Sequence, residues 1–512
     1  MDDEFDVERP ELSGTLISME FGPGGRIQQL WASDPALPEE GEEFQFVLPP
    51  VTFGGEYSED YYPGTILIGA RLHPDEPWIL SRNADARSFD ESLDLRGVTF
   101  EYDFGLLPEL SASGQFYELA GPIPQIVWDI RIQNHGRDEI EIGELAFPFA
   151  FNNLYEGFPR SEHSNKSIWT DRLYIHKFIG GAASYLFAQR MNAEAPGLLV
   201  FPGENTSWEF FNHAPASLNT PFRWEGIPVV YVHSKAVIER EGWGGWFHEH
   251  TSLILKSGES KTFQLRFAPA DRDRFDNVHQ TLVSCGNPAM RLLPSAVAPA
   301  EVGIAVEIGG ATPARFFVDA DATIETDSDE EGGFCFVKPK NPGPLMLGFE
   351  DTQGRVSHAH LVFTESIEEL IKRRAGWVMV NQLHKQPGSS IHNAILVADT
   401  RTGAHIAETG PFGIEGGLAD ALFLAEKNTI YPVLEQIAVL DDFILDFLRD
   451  DLQNPADGTV GSAFMDSRSV ALNYGRPHLY PLVFNLYHAM YRVAQVYGST
   501  RLSPQEYLHF GA

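Results

Sequence analysis

Glu408-Thr-Gly-Pro-Phe-Gly-Ile-Glu415-Gly-Gly-Leu-Ala-Asp420 is the stretch on which the reading of this chain turns. Upstream of it the sequence is written for strands. Ile126-Val-Trp-Asp-Ile-Arg-Ile132 alternates apolar and polar residues, breaks at Asn134-His-Gly136, and resumes at Glu139-Ile-Glu-Ile142. Thr251–Leu255, a Lys-Ser-Gly-Glu-Ser turn and Thr262–Phe267 read as a hairpin. From Ser366 the period becomes helical. Ser366-Ile-Glu-Glu369 is a capping box, and Val433, Ile437, Leu440, Ile444 and Phe447 keep one helical stripe. The quoted loop lies between the first two helices and carries acids beside glycines.

These patterns predict a multidomain β-plus-α chain. Residues 1–288 are expected to form a large antiparallel β-sandwich, and 289–364 a small immunoglobulin-like β module. Residues 365–512 are expected to form an α/α helical-hairpin domain that reads as incomplete. Helices are expected at 366–380, 417–428, from Pro432, and 481–497. The last is apolar around most of its circumference, which predicts burial on most sides. Asp441 and Asp442 lie off the apolar stripe and read as solvent-facing.

The chain has 512 residues and a formal net charge of -35. That balance argues against nucleic acid, whose phosphates need Lys and Arg, and against anionic membrane surfaces. No run reaches the ~18 apolar residues of a membrane span. The N-terminus as written has neither a basic nor an apolar leader region, which reads as cytoplasmic; a missing leader would make the protein extracellular. Cys285 and Cys335 fall in different expected domains with no zinc spacing. His248-Glu-His250 offers two imidazoles without a third ligand. Asp327-Ser-Asp329-Glu-Glu331-Gly332 matches half a calcium loop, with Lys338 where a glutamate is needed. No metal and no cofactor are therefore expected.

Two long loops, 381–416 and 452–478, hold the candidate chemistry, because long loops in compact domains are often functional. Glycoside hydrolysis needs one protonated carboxyl and one ionised carboxylate across the scissile bond. Glu415 is the first candidate. Flanking glycines would let a sugar approach the backbone, and a helix starting near Gly417 would favour its negative charge. Glu408, Asp420 and Asp466 are the candidate partners. Arg468, Tyr474, Arg476, His478, His384 and Trp246 are candidate sugar-binding residues, flat rings being able to stack on sugar faces. Capping, solvation and core packing compete for each.

Gly410–Pro432 and Arg476–Tyr497, together with the order sandwich, small module, helices, resemble an uncharacterised bacterial and fungal family similar to the six-hairpin glycosidases. The resemblance implies an (α/α)6 toroid with its active site in loops at one end, and this chain has length for only four or five helices after Ser366. It implies a carbohydrate-active protein acting on an oligo- or polysaccharide, a glycoside hydrolase or its N-terminal portion. The alternatives are a polysaccharide lyase using Tyr474, Arg476 and His478, in which a base removes the proton beside a uronate carboxylate, and a non-catalytic carbohydrate-binding or surface-assembly protein.

Overall fold

The computed structural model describes residues 10–511, apart from 37–42, 54–55, 82–84, 93–96, 156–161, 215–225, 243–248, 271–274, 330–331, 390, 407–410 and 462–476; at 52–53, 56–57, 85–92, 162–165, 275–276, 411–415 and 450 it describes backbone alone. The chain divides into two compact units, Met1–Phe363 and Thr364–Ala512.

The first unit is built on two facing antiparallel sheets. One has eight strands, in the order Leu173–Phe178, Tyr185–Arg190, Gly197–Pro202, Ser260–Ala270, Gln125–Asn134, Leu110–Leu119, Gly97–Asp103 and Asp85–Ser92. The other is centred on Ile140–Pro148, which pairs with Leu67–Arg71, Ile227–His233 and Leu253–Leu255. Alternation gives each strand an apolar face. Trp128, fully buried, stacks on Phe116 within its own sheet at 5.0 Å between ring centroids, and meets Phe147 of the opposite sheet edge-on at 5.4 Å.

Alternation locates the strands but not their partners. Leu253–Leu255 and Ser260–Ala270 do not form the expected hairpin. The first pairs with Ile140–Pro148 and the second with Gln125–Asn134, so the turn between them carries the chain from one sheet to the other. The same crossing occurs at Asn134, whose amide nitrogen donates to the carbonyls of Asp138 and Leu255. Among the described residues of this unit are helices α1 (Glu162–Asp171), α2 (Lys235–Glu241) and α3 (Phe275–Ser284).

After α3 come two four-stranded sheets. One is ordered Ala289–Leu293, Ile304–Gly309, Gly332–Pro339, Ala322–Ser328; the other Val297–Pro299, Val356–Thr364, Gly343–Asp351, Pro313–Val318. They enclose a separate core that includes Val306, Cys335, Val337, Leu347 and Leu361. Both cysteines are free and buried, and burial pushes the thiols up, to about 12 for Cys285 and about 11 for Cys335.

The second unit contains α4 (Ile367–Asn381), α5 (Pro411–Ile430), α6 (Leu434–Asp442) running into a π-helical segment Phe443–Leu452, α7 (Leu479–Val496) and α8 (Pro504–Gly511). The Ser366 hydroxyl accepts the Glu369 amide at 3.2 Å, the first half of the expected capping box. Ile437, Leu440, Ile444 and Phe447 are buried as their spacing demands. Helix α7 buries Leu479, Val483, Leu486, Tyr487 and Met490 and leaves Phe484 and Val496 exposed, so it is buried on most sides but not on every side. Two other expectations fail. Val433, first in the expected stripe, is exposed ahead of α6. Asp441 is buried rather than solvent-facing, because α8 packs there and brings the fully buried Tyr507 hydroxyl to its carboxylate, while the Arg501 amide donates to its other oxygen at 2.8 Å. Burial raises the Asp441 pKa. Among the described residues no helix is long and apolar enough to cross a membrane.

Candidate functional site

Helix α5 begins at Pro411, six residues before the expected start at Gly417, so Glu415 lies inside the helix and not ahead of it. Proline is well placed at a helix start. Gly413, Gly416 and Gly417 disfavour helix in the first turns, since each costs a helix roughly 1 kcal/mol. Packing supplies the reason for two of them. A Cβ on Gly416 would overlap the Val397 side chain, and one on Gly417 would overlap the Ile395 carbonyl oxygen. The bare backbone of α5 is pressed against residues 395–397. The glycines thus admit a chain crossing, and the access they give is to this protein segment.

That crossing segment belongs to a short β-like excursion from the end of α4. Leu383 bridges Ile395 and Ala398 bridges His405. Gln382 sends its side-chain amide to the Leu396 carbonyl at 2.7 Å and to Asp420. Asp420 is also held by Arg374 at 2.7 Å, so its carboxylate joins α4, α5 and the excursion.

At the tip, the Asp399 carboxylate accepts the Arg401 and Thr402 amides at 2.9 and 2.7 Å, closing a turn that Gly403 completes with φ 72°. The backbone hydrogen bonds at Thr402 and its side chain hold the Asp399 carboxyl below the usual range. This turn brings His405 back to α4, where its Nε2 lies 3.1 Å from the Asn381 carbonyl. A carbonyl only accepts, so Nε2 carries the proton and Nδ1 of the neutral ring is the basic nitrogen. The half-buried His384 ring lies 5.9 Å from it, centroid to centroid. His392 stands on the same excursion, its Nδ1 buried without a hydrogen-bond partner among the described residues. Asn393, held at φ 63°, donates to Asp446 at 3.1 Å.

On the other flank of α4, Lys385, Glu435 and Gln436 line a cavity of about 540 Å³ with Met379, Val380 and Leu383. Behind it Lys427 is buried, its ammonium donating to Gln436 at 2.8 Å. Burial, reinforced by the nearby Lys372 charge, lowers its pKa.

Of the residues singled out from sequence, the structure brings His384 and Asp420 into this region, on its excursion and its supporting ion pair. His478 is exposed at the start of α7. Glu408, Asp466, Arg468, Tyr474, Arg476 and Trp246 lie outside the described residues, as does the side chain of Glu415. His248 lies outside them too. His250 meets the Ser234 hydroxyl at 2.7 Å, within a hydrogen-bonded cluster around Glu209. No group of three metal-ligating side chains occurs among the described residues. His405 and Lys427 were not singled out. A histidine 21 residues from His384 in a loop gives no spacing signal, and only the Asp399 turn makes the two neighbours.

The chain belongs to DUF5695, a family of unknown function, whose model matches residues 35–466. No curated protein matches the sequence. Among solved structures, a polysaccharide lyase is similar over 97% of this chain and 67% of its own, with a TM-score of 0.68 and 16% identity. A putative aldose 1-epimerase from Escherichia coli K12 is similar over 51% of this chain and 98% of its own, with a TM-score of 0.27 and 11% identity. An α-galactosidase from Geobacillus stearothermophilus covers 54% of this chain and 42% of its own, at a TM-score of 0.28 and 11% identity. The first likeness is one of fold; the other two are too slight to bear on it. The six-hairpin glycosidase resemblance remains an expectation from sequence.

Proposed function

We propose that this protein is carbohydrate-active and cleaves an acidic polysaccharide by β-elimination. The observation that carries the reading is the fold likeness to a polysaccharide lyase, which extends over 97% of the chain and so takes in both units. The His405 geometry supports it. A lyase needs a base that removes the proton on the carbon bearing the uronate carboxylate. In this reading Nδ1 of His405 takes that proton, its tautomer set by the Asn381 carbonyl. The electron pair forms the new double bond as the bond to the glycosidic oxygen breaks, and that oxygen takes up a proton from solvent. His384 lies beside His405, 5.9 Å away between ring centroids. Arg476 keeps its role from residue chemistry, neutralising the uronate carboxylate, while His405 replaces Tyr474 and His478 as the base.

Hydrolysis is the second reading, with Glu415, Glu408 and Asp466 as its carboxyls. The engagement of Asp420 by Arg374 and Gln382 counts against Asp420 as its acid or base. The test is an assay of His405→Ala and His405→Gln on a panel of uronate polysaccharides. The reading expects a chain-shortening activity with an unsaturated product, and loss of at least a hundredfold in both variants. Wild-type turnover in both would remove His405 from the mechanism.

A further inference from the structure

A small polar cavity of about 190 Å³ lies in the first unit where the loop after Gly197–Pro202, the link after α3 and the turn at 351–355 meet. It is lined by Glu204, Asn205, Arg266, Asn287, Gln353 and Arg355, with Gly203 and Gly286. Its volume is that of about six waters, the room of one sugar ring. Two guanidinium groups reach it, Arg266 from the strand Ser260–Ala270 and Arg355 from the turn before Val356–Thr364. Arg266 donates from Nη1 to the Cys285 carbonyl and Arg355 from Nη1 to the Gly286 carbonyl, each at 3.3 Å. Both therefore sit at the C-terminal end of α3, where cations are favoured.

Their charges are not equally satisfied. Arg355 is paired at 2.7 Å with Asp351, whose side chain is 1% exposed. Arg266 gives Nε to Gln264 at 2.7 Å and has no carboxylate within 4.0 Å among the described residues; its Nη2 donates to none of them. The helix end accounts for one of its terminal nitrogens and leaves the other. Around the rim, Glu204, Asn205 and Gln353 are exposed, and their side chains make no hydrogen bond to the described residues. A half-buried cation below and three hydrogen-bonding side chains above match a compact ligand with one carboxylate and several hydroxyls.

We propose that this cavity binds a single hexuronate residue, its carboxylate on Arg266 and its hydroxyls on Glu204, Asn205 and Gln353. The choice of a sugar acid rests on the proposed function; the cation-floored cavity does not. Arginine matches carboxylate through paired N–H donors, and charge-assisted bonds of this kind are the strong ones.

The test is calorimetric titration of the full chain with glucuronate, glucose and sulfate at constant ionic strength. The expected result is saturable binding of glucuronate and none of glucose. Arg266→Gln should weaken glucuronate roughly tenfold or more. That change also loosens the end of α3, so Gln353→Ala and Asn205→Gly, both at the exposed rim, provide the second arm. Each should weaken binding severalfold with an unchanged melting temperature. Glucose binding equally well, sulfate binding with no response to glucuronate, no saturable binding, or affinity untouched in all three variants would each overturn the proposal. The readout is binding without turnover, so it stands or falls apart from the elimination assay.

Discussion

Gly417 on α5 lies directly under the Ile395 carbonyl, so close that no side chain fits between them. Propensity alone would favour alanine at 417 by roughly 1 kcal/mol. The overlap reverses the sign, and Gly417→Ala should destabilise the second unit by about 1–3 kcal/mol. Gly376 on α4 is the control, because a Cβ there meets nothing within 4 Å. Gly376→Ala should stabilise by about 0.5–1 kcal/mol. Hydrogen exchange resolved to peptides of 364–512 would read both, and equal shifts in the same direction would contradict the packing account.

Asp420 separates structure from chemistry. Its side chain is 16% exposed and satisfies both Arg374 and Gln382. Asp420→Asn should cost about 1–3 kcal/mol in denaturant titration, while activity per folded molecule stays within a few fold. Loss of turnover at unchanged stability would return Asp420 to the reacting groups.

Glu141 gives a pH signature in the first unit. Burial alone would raise its pKa, but hydrogen bonds from Lys235, Ser252 and Arg71 outweigh that and lower it to about 2. A carboxyl depressed on folding contributes stability that is complete above its unfolded value and is lost as pH falls through the folded one. The loss should therefore run from about pH 4.5 down to about 2. Urea midpoints measured across that window should slope less for Glu141→Gln than for wild type; parallel slopes would mean that the cluster does not hold the charge.

Net charge makes a further prediction. A chain at -35 repels a polyanionic substrate at long range. Raising ionic strength from low values should then raise kcat/KM on a uronate polymer, because salt screens the repulsion. A fall with salt would indicate that a basic channel dominates the encounter.

The change from strands to helices was legible because period-2 and period-3.6 patterns are local. So was the Ser366 cap, whose partners lie three residues apart. Strand pairing was not. Leu253–Leu255 and Ser260–Ala270 look like a hairpin whether they pair with each other or part into two sheets. The glycines at 416 and 417 read as a loop because sequence shows what a residue lacks and not what crosses it. Asp441 read as a surface acid because Tyr507, its partner, is 66 residues away. His405 carries no local signal for the same reason. Its neighbour His384 is set by the Asp399 turn and by two bridges, neither of which has a spacing rule.

The most direct measurement is to digest a uronate polysaccharide in ¹⁸O-labelled water with the purified protein and to follow the product by absorbance and mass. Elimination predicts a conjugated double bond at the new non-reducing end and no ¹⁸O incorporated during cleavage. A saturated product carrying one ¹⁸O for each bond broken would contradict the account and identify a hydrolase.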